Sequence, residues 1–313
     1  MHLPLIHHPG YTIAWPEVHP FPMAKFRALR GRLTALGFDD DPSIEWLAPS
    51  QANSSQLLRV HSYDYLQTFY LGDSDPTARK RSGFPWSSAL VERTLLEVGG
   101  TLLTVEMALE TGLACNTAGG THHAFANGAS GYCLLNDIAV AAREALARGW
   151  VKRVLIVDLD VHQGDGTAAI FRDEPAVFTF SIHGAENFPF TKQVSDLDIA
   201  LPRGTGDDAY FDTLAAHLPH LLERFRPELV IYDAGADVHR GDRLGHLELS
   251  DEGIYKRDRY VIDSCRAANV PIACVIGGGY DRDLSALASR HARLFLAARN
   301  ALKADDVSRE GYC

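Results

Sequence analysis

Five short, largely apolar runs, four of which contain both valine and isoleucine, recur along the chain and alternate with longer segments of helical periodicity. Runs of the first kind predict strands, and the longer segments predict helices between them. The predicted strands are Leu113–Thr117, Arg153–Val157, Ala176–Ile182, Glu228–Tyr232 and Pro271–Ile276. The predicted helices are Ser88–Leu109, Asn136–Arg148, Asp208–Phe225, Ser250–Ala268 and Asp283–Leu302.

This alternation strongly limits the fold. Strands that are apolar on both faces are typical of parallel sheets that carry helices on both sides. We therefore predict an α/β fold, with a single three-layer domain over residues 1–313, because no repeat or linker divides the chain. The stretch from Leu71 to Trp86, where Gly, Asp, Ser and Pro cluster, is predicted to be a loop.

The residues that follow the predicted strands are polar and rich in glycine. Acidic, imidazole, hydroxyl or phenol groups lie at or after the ends of all five strands, in the segments His122-His123, Asp158–Asp165, Ser181–His183, Asp233–Asp237 and Gly277–Tyr280. In open parallel sheets, ligands bind beyond the carboxyl ends of the strands. We therefore expect the functional site at this edge of the sheet.

The sequence Asp160-x-His162 places two ligand-type side chains on the same side of an extended segment. Asp237, after a neighbouring strand, could complete a three-ligand site. Two carboxylates, one imidazole and an open position are typical of catalytic zinc, whereas structural zinc favours closed sites rich in cysteine. The five cysteines are scattered and lie outside this group. We predict one zinc-type ion per chain at these three residues.

Each motif also has a purely structural interpretation. An Asp-x-Asp sequence after a strand is often a helix cap, a pair of histidines can pack in a core, and Gly-Gly-Gly-Tyr is often a tight turn. All of them fall at one predicted edge of the sheet, where carboxylates need partners if they are buried. This coincidence favours a catalytic metal site.

Net charge and hydropathy exclude some partners. The formal net charge of −10 disfavours nucleic acid, although it would attract a cationic substrate. No apolar stretch approaches the roughly 20 residues of a membrane helix, so no membrane partner is expected. The first residues lack the basic and apolar regions of a signal peptide, which predicts a cytoplasmic location. The oligomeric state is left open.

Taken together, these motifs resemble the histone deacetylase family, within the arginase-like α/β superfamily. The matching segments are Gly119–Ala124, Gly131–Asp137, Val157–Gly166, Gly235–Asp237, Gly241–Gly245 and Gly277–Tyr280, with weaker likeness at Phe21–Phe26 and Val60–Tyr65. Gln163 departs from the His-His-Gly-Asp-Gly form of many members. The resulting His-Gln-Gly form is similar to the class IV branch and its bacterial relatives.

The resemblance implies a zinc-dependent deacetylase or deacylase of acylated lysine and gives the residues roles. It makes His123 the general base and His122 the neighbour that stabilises charge or acts as an acid. Asp158 would orient His122, and Asp165 would orient His123. Tyr280 would donate a hydrogen bond to the substrate carbonyl and to the oxyanion that follows.

Two further sites are implied by the resemblance alone. Tyr132 and Phe188 look like the aromatic walls of a tunnel that holds the lysine stem. A structural potassium ion is also implied, mainly on backbone carbonyl groups. Its predicted ligand residues are Asp158, Asp160, His162, Ser181 and Ile182.

Three alternatives remain at this point. A two-metal ureohydrolase of the same superfold would need more carboxylates around Asp160-x-His162 and Asp237 than Gly164 and His239 supply. A catalytically inactive relative used as a binding module usually lacks a ligand or the tyrosine, and neither is missing. The third alternative is an enzyme that acts on acetylated polyamines or other small amides.

Overall fold

An eight-stranded sheet forms the centre of the structure, a computed structural model that describes residues 2–72 and 76–310. The strands are β1 (Leu3–Ile6), β2 (Ile44–Leu47), β3 (Leu113–Asn116), β4 (Val154–Asp158), β5 (Val177–Gly184), β6 (Leu197–Leu201), β7 (Leu229–Asp233) and β8 (Ile272–Val275). Their order is β2-β1-β3-β8-β7-β4-β5-β6, and every neighbouring pair is parallel.

Helices connect the strands. Within the described residues they are α1 (Lys25–Ala35), α2 (Ser54–Leu57), α3 (Tyr63–Leu71), α4 (Pro76–Ser82), α5 (Ser88–Thr111), α6 (Asp137–Ala147), α7 (Asp165–Phe171), α8 (Asp207–Phe225), α9 (Asp251–Ala267) and α10 (Leu284–Glu310). Side-chain caps fix several of their starts, because Ser87, Asn136 and Ser250 each accept a hydrogen bond from a backbone N–H of the first turn. In the described part of the chain, no helix is long and apolar enough to cross a bilayer.

The sheet separates two apolar cores. Leu155 and Val157 of β4 belong to the core that α1, α8, α9 and α10 cover, whereas Val154 and Ile156 belong to the core under α5 and α6. This alternation follows from the two-residue period of a strand. The structure therefore confirms the predicted α/β fold with helices on both faces of a parallel sheet.

Three strands have no counterpart in the sequence prediction. Strand β1 contains Pro4, which argues against a strand inside a sheet because proline lacks a backbone donor. Strands β2 and β6 lie at the two edges and are half-exposed, so they lack a continuous apolar run. The five predicted strands correspond to β3, β4, β5, β7 and β8, and their ends differ by at most two residues.

The predicted loop from Leu71 to Trp86 is wrong in part, because α4 lies within it. Pro76 opens this helix at a position where the missing N–H is not needed. Three basic residues, Arg79, Lys80 and Arg81, fill its last turn, where cations complement the helix dipole. Residues 73–75 of the predicted loop lie outside the described residues.

Candidate active site

The polar segments predicted at the strand ends meet at the carboxyl edge of the sheet. Asp158 ends β4 and Asp233 ends β7, and the two residues are register partners. Asp160 and His162 lie in the loop after β4, and Asp237 lies in the loop after β7. All five side chains are buried. Burial of so many ionisable groups at one place requires compensating charge.

Asp160, His162 and Asp237 form a compact group of metal-ligand type. Each offers one ligand atom, and these atoms lie within 4.8 Å of one another. His162 Nδ1 is 3.0 Å from Asp160 Oδ1 and 3.2 Å from Asp237 Oδ2. The second contact lacks hydrogen-bond geometry, so Asp237 Oδ2 is buried without a hydrogen-bond partner among the described residues. An unpaired carboxylate oxygen beside an imidazole nitrogen is consistent with a cation site.

Backbone groups hold the two carboxylates in place. Gly278 N donates to Asp160 Oδ2 at 2.6 Å, and Val161 N donates to Asp237 Oδ1 at 2.9 Å. A Cβ atom at Gly278 would lie 2.0 Å from Asp237 Oδ2, so only glycine lets the backbone approach so closely. The donor set of two carboxylate oxygens and one imidazole nitrogen fits a zinc ion.

The pKa of His162 also indicates that the carboxylates around it stabilise a positive charge. Burial lowers this pKa, but the adjacent carboxylates of Asp160 and Asp237 outweigh burial and raise it to about 10. The carboxylates therefore stabilise a cation among these three side chains.

Two buried histidines lie beside this group, each against its own aspartate. His122 Nδ1 is 2.8 Å from Asp158 Oδ2, and His123 Nδ1 is 2.6 Å from Asp165 Oδ1. The centroids of the two imidazole rings are 4.2 Å apart. Each aspartate fixes the orientation of its ring and leaves Nε2 outside this contact. The structure thus brings together the residues that the resemblance pairs.

The pKa values of the two histidines shift in opposite directions. Burial lowers the pKa of His123 to about 4, and the neighbouring His122 adds repulsion. Burial also lowers the pKa of His122, but the carboxylates of Asp158 and Asp160 outweigh it and raise this pKa well above 6.5. At neutral pH the His123 ring is consequently neutral, while His122 carries the positive charge.

Tyr280 faces the same site from the glycine-rich segment after β8. Its ring centroid is 6.1 Å from that of His162, and the side chain is only 8% exposed. Tyr280 N donates to Asp242 Oδ2 at 2.7 Å, and Arg243 N donates to Tyr280 O at 3.0 Å, so both backbone groups are fixed. Burial raises the pKa of the phenol, which therefore stays protonated and able to donate.

A cavity of about 250 Å³ lies beside His123, His162 and Tyr280. Tyr132 and Phe188 line it, as the resemblance implies, and the ring centroid of Phe188 is 4.9 Å from that of His123. Tyr132 has a φ of 63°, a left-handed conformation that costs roughly 1–2 kcal/mol for a residue with a side chain. Tertiary contacts must hold it there, which gives this wall of the cavity a fixed shape.

Asn136 and His61 support the loop that carries the two histidines. Asn136 Nδ2 donates to His122 O at 3.3 Å and to Ala124 O at 3.0 Å. His61 Nε2 accepts a hydrogen bond from Asn136 N at 3.0 Å, and its Nδ1 lies 3.2 Å from Phe125 O. Because Nε2 is an acceptor, the ring is neutral with its proton on Nδ1. The sequence placed His61 only in a segment that resembles the family.

His61 should make stability depend on pH. Burial lowers its pKa from 6.5 to about 4. Between these values the unfolded chain binds the proton and the folded chain does not, so stability falls as the pH falls. Between pH 7 and pH 5 the unfolding free energy of the unmodified protein should fall by about 2 kcal/mol more than that of His61→Gln, at 1.36 kcal/mol per pKa unit. Urea unfolding of both proteins measures this difference, and a difference that stays constant with pH would contradict it.

Asp233 had no role in the sequence prediction, yet it is part of the site. Neither of its carboxylate oxygens has a hydrogen-bond partner among the described residues. Its Oδ2 is 3.8 Å from His122 Nδ1. Burial, with repulsion from Asp158, raises its pKa well above 3.8. Its place as the last residue of β7, four residues before Asp237, was the signal available in the sequence.

The residues implied for potassium lie at adjacent strand ends. Asp158 of β4 and Ser181 of β5 are register partners, and Ile182 follows in β5. The Ser181 hydroxyl is 3.0 Å from His183 Nδ1. Asp160 and His162 lie in the adjoining loop. The potassium site remains a prediction.

Lys25 is a second site residue without a predicted role. It is 2% exposed, and its Nζ donates to Gly277 O at 2.9 Å. The aromatic rings of Phe21, Phe26 and Tyr280 surround the ammonium group at 5.4–5.9 Å. This lysine therefore anchors the segment that ends in Tyr280. A lysine between apolar residues in a short segment gives little sign of such a position.

Comparisons with known proteins agree with this geometry. The family model described as "Histone deacetylase domain" matches residues 19–295. An uncharacterized protein of Picosynechococcus sp. is 52% identical over 300 residues, which cover 96% of this chain and 99% of that protein. Histone deacetylase 2 of Arabidopsis thaliana is 34% identical, over 88% of this chain and 74% of its own length.

Two further relatives extend the comparison. The acetoin utilization protein AcuC of Bacillus subtilis is 32% identical, over 77% of this chain and 68% of that protein. The crystal structure of the HDA15 HD domain has a TM-score of 0.79 at 23% identity, over 94% of this chain and 88% of that chain, which shows a common fold. The predicted resemblance is confirmed, and the chain belongs to the histone deacetylase family of hydrolases.

Proposed function

We propose that this protein hydrolyses the amide bond of an acylated lysine with the help of one zinc ion held by Asp160, His162 and Asp237. One observation carries the proposal. Three buried ligand atoms lie within 4.8 Å of one another, and His162, which offers one of them, lines a cavity together with His123 and Tyr280. A metal site, a base and a hydrogen-bond donor that share one cavity are the groups that amide hydrolysis requires.

When bound, zinc supplies Lewis acidity, which polarises the amide carbonyl and lowers the pKa of water. The histidines move protons. His123 takes a proton from the attacking water at Nε2, because Asp165 occupies its Nδ1. His122 stabilises developing charge and can protonate the leaving amine, with Asp158 holding its ring. Without such a proton the amine would leave as an unstable anion.

Tyr280 and the cavity walls position the substrate. The Tyr280 hydroxyl donates to the carbonyl oxygen, and this hydrogen bond strengthens as negative charge builds on the oxygen. Tyr132 and Phe188 enclose the alkyl stem of the lysine, which offers only methylene groups to their rings. An alkyl stem between aromatic walls excludes water from the reacting amide.

A two-metal hydrolase is the second candidate, and one feature favours it. His122, Asp158 and Asp233 form a further group whose ligand atoms lie within 4.8 Å of one another. However, none of these three residues lines the cavity beside His123 and Tyr280, whereas His162 of the first group does. An ion in the second group would therefore not face a substrate in that cavity. We therefore favour a single ion.

Metal content distinguishes the two candidates. We expect close to one equivalent of zinc per chain. The zinc content should fall in Asp237→Asn, because an amide binds the ion more weakly than the carboxylate does. Asp233→Asn changes the second group, and it should leave the zinc content per chain unchanged. Elemental analysis of the three proteins, with circular dichroism as a check of folding, makes the comparison. Two equivalents that fall to one in Asp233→Asn would support the two-metal hydrolase.

Activity tests the proposal itself. The zinc-loaded protein should release acyl groups from lysine peptides, and the rate over graded acyl chain lengths defines the acyl preference. Acetylated spermidine in the same assay tests the small-amide alternative. Chelation of the metal should abolish turnover, and added zinc should restore it. A folded, zinc-loaded protein that cleaves no acyl-lysine peptide would overturn the proposed function.

A further inference from the structure

The cavity beside the candidate active site has a basic mouth. Lys80 and Arg81 line it, and no described Asp or Glu does. The whole chain, in contrast, carries a formal net charge of −10. Two adjacent cations at this position are therefore opposite in sign to the average charge of the protein.

Hydrogen bonds hold this basic segment against the cavity wall. Arg81 O accepts a bond from Gly131 N at 3.0 Å, and Ser82 O accepts one from Tyr132 N at 3.0 Å. Gly83 O then lies 2.8 Å from His19 Nε2. The end of α4 is thus fixed to the loop that carries Tyr132. The two cations consequently keep their place at the mouth and do not depend on a free loop.

The charge of the two side chains is available to a ligand. Both are exposed, and neither forms an ion pair with a described acidic residue. Asp64 lines a neighbouring cavity of about 530 Å³ together with Arg79 and Arg81, but no salt bridge joins these side chains. At physiological salt the Debye length is about 8 Å. At the mouth of the cavity, the electrostatic potential of these two cations therefore outweighs that of surface carboxylates at much greater distances.

We propose that Lys80 and Arg81 make this enzyme select substrates that carry an acidic group beside the acylated amine, such as an acyl-lysine flanked by Asp or Glu. This inference rests on the proposed function. An acidic neighbour would pair with the two cations as the acyl-lysine enters the cavity, whereas a lysine-rich peptide or a polyamine would be repelled. Phe190 is 91% exposed, and its ring centroid is 6.2 Å from that of Phe188, which lines the cavity.

Three peptides that differ only in the residues next to one acetyl-lysine test the selection. The flanking residues are Glu, Gln or Lys, and kcat/KM is measured for each. The Glu peptide should exceed the Lys peptide by about threefold to tenfold at low salt, mostly through KM, since exposed charge pairs contribute modestly. High salt should reduce the ratio. Equal values for the three peptides, or a preference for the Lys peptide, would overturn the inference.

Charge reversal assigns the selection to these residues. Lys80→Glu and Arg81→Glu should each lower the ratio of the Glu peptide to the Lys peptide, and the double variant should invert it. Lys152→Glu is the matched control, because exposed Lys152 precedes β4 at the opposite edge of the sheet. It should leave both the ratio and the turnover unchanged. A ratio that stays the same in the double variant would contradict the assignment.

The two proposals fail in different ways. If the zinc-loaded protein hydrolyses none of the three peptides, the proposed function is wrong. If it hydrolyses the Gln peptide but does not prefer the Glu peptide, only the selection of acidic substrates is wrong. Because the ratio is taken within each variant, a partial loss of folding does not change the result.

Discussion

Replacement of His123 by alanine is expected to slow amide hydrolysis about 10²–10⁴-fold, the usual contribution of a general base. Its ring lines the cavity, and its Nδ1 is fixed by Asp165 at 2.6 Å. Burial holds its pKa at about 4, so the ring is neutral and can accept a proton. Single-turnover and steady-state rates on an acyl-lysine peptide measure the loss. Zinc content should stay normal, because His123 is outside the ligand group.

The control is His220→Ala, which removes an exposed imidazole on α8. This variant should retain full activity. The pH–rate profile adds a second readout. The profile of the unmodified protein should rise with pH through the coupled ionisation of the site, and not through one residue. If His123→Ala keeps the normal rate and the normal profile, the base lies elsewhere.

Tyr280→Phe is expected to lower kcat about 10²–10³-fold, as the loss of other oxyanion donors does. The phenol is buried beside His162 and stays protonated, so it can donate where negative charge develops. A donor of this kind stabilises the transition state more than the bound substrate. The loss should therefore fall on kcat, with little change in KM. Zinc analysis on the same preparation should show normal metal content.

A purely structural tyrosine would behave differently. Tyr65 is the matched case, because the hydroxyl of this half-buried residue donates to Leu134 O at 2.5 Å, away from the metal group. Tyr65→Phe should lower the melting temperature with near-normal turnover, since a lost hydrogen bond costs roughly 1 kcal/mol. If Tyr280→Phe shows this same pattern, Tyr280 packs the fold and has no part in the reaction.

The sequence predicted the five central strands of the sheet better than the three outer strands. Strands β3, β4, β5, β7 and β8 are apolar on both faces, and such runs can be recognised without any partner. Strand β1 is short and contains Pro4, and the edge strands β2 and β6 are half-exposed. Their strand character comes from hydrogen bonds to neighbouring strands, which a local pattern does not contain.

The position of the strand ends also explains how much of the candidate site could be predicted from the sequence. Once a parallel sheet is predicted, the residues after its strands must share one edge, so Asp160, His162 and Asp237 could be grouped from their order alone. Their convergence within 4.8 Å is a property of the fold. The pairing of each histidine with its own aspartate came from family resemblance. Local spacing does not specify which carboxylate reaches which ring.

By itself, the sequence determined the parallel α/β fold and the ligand-type residues at its carboxyl edge, because both follow from local periodicity and chain order. The tertiary structure alone placed Lys25 against Gly277, 252 residues away, and Lys80 and Arg81 at the mouth of the cavity. It also left Asp233 buried without a hydrogen-bond partner for its carboxylate among the described residues. Such positions depend on contacts between distant segments and on burial, and these exist only after the chain has packed.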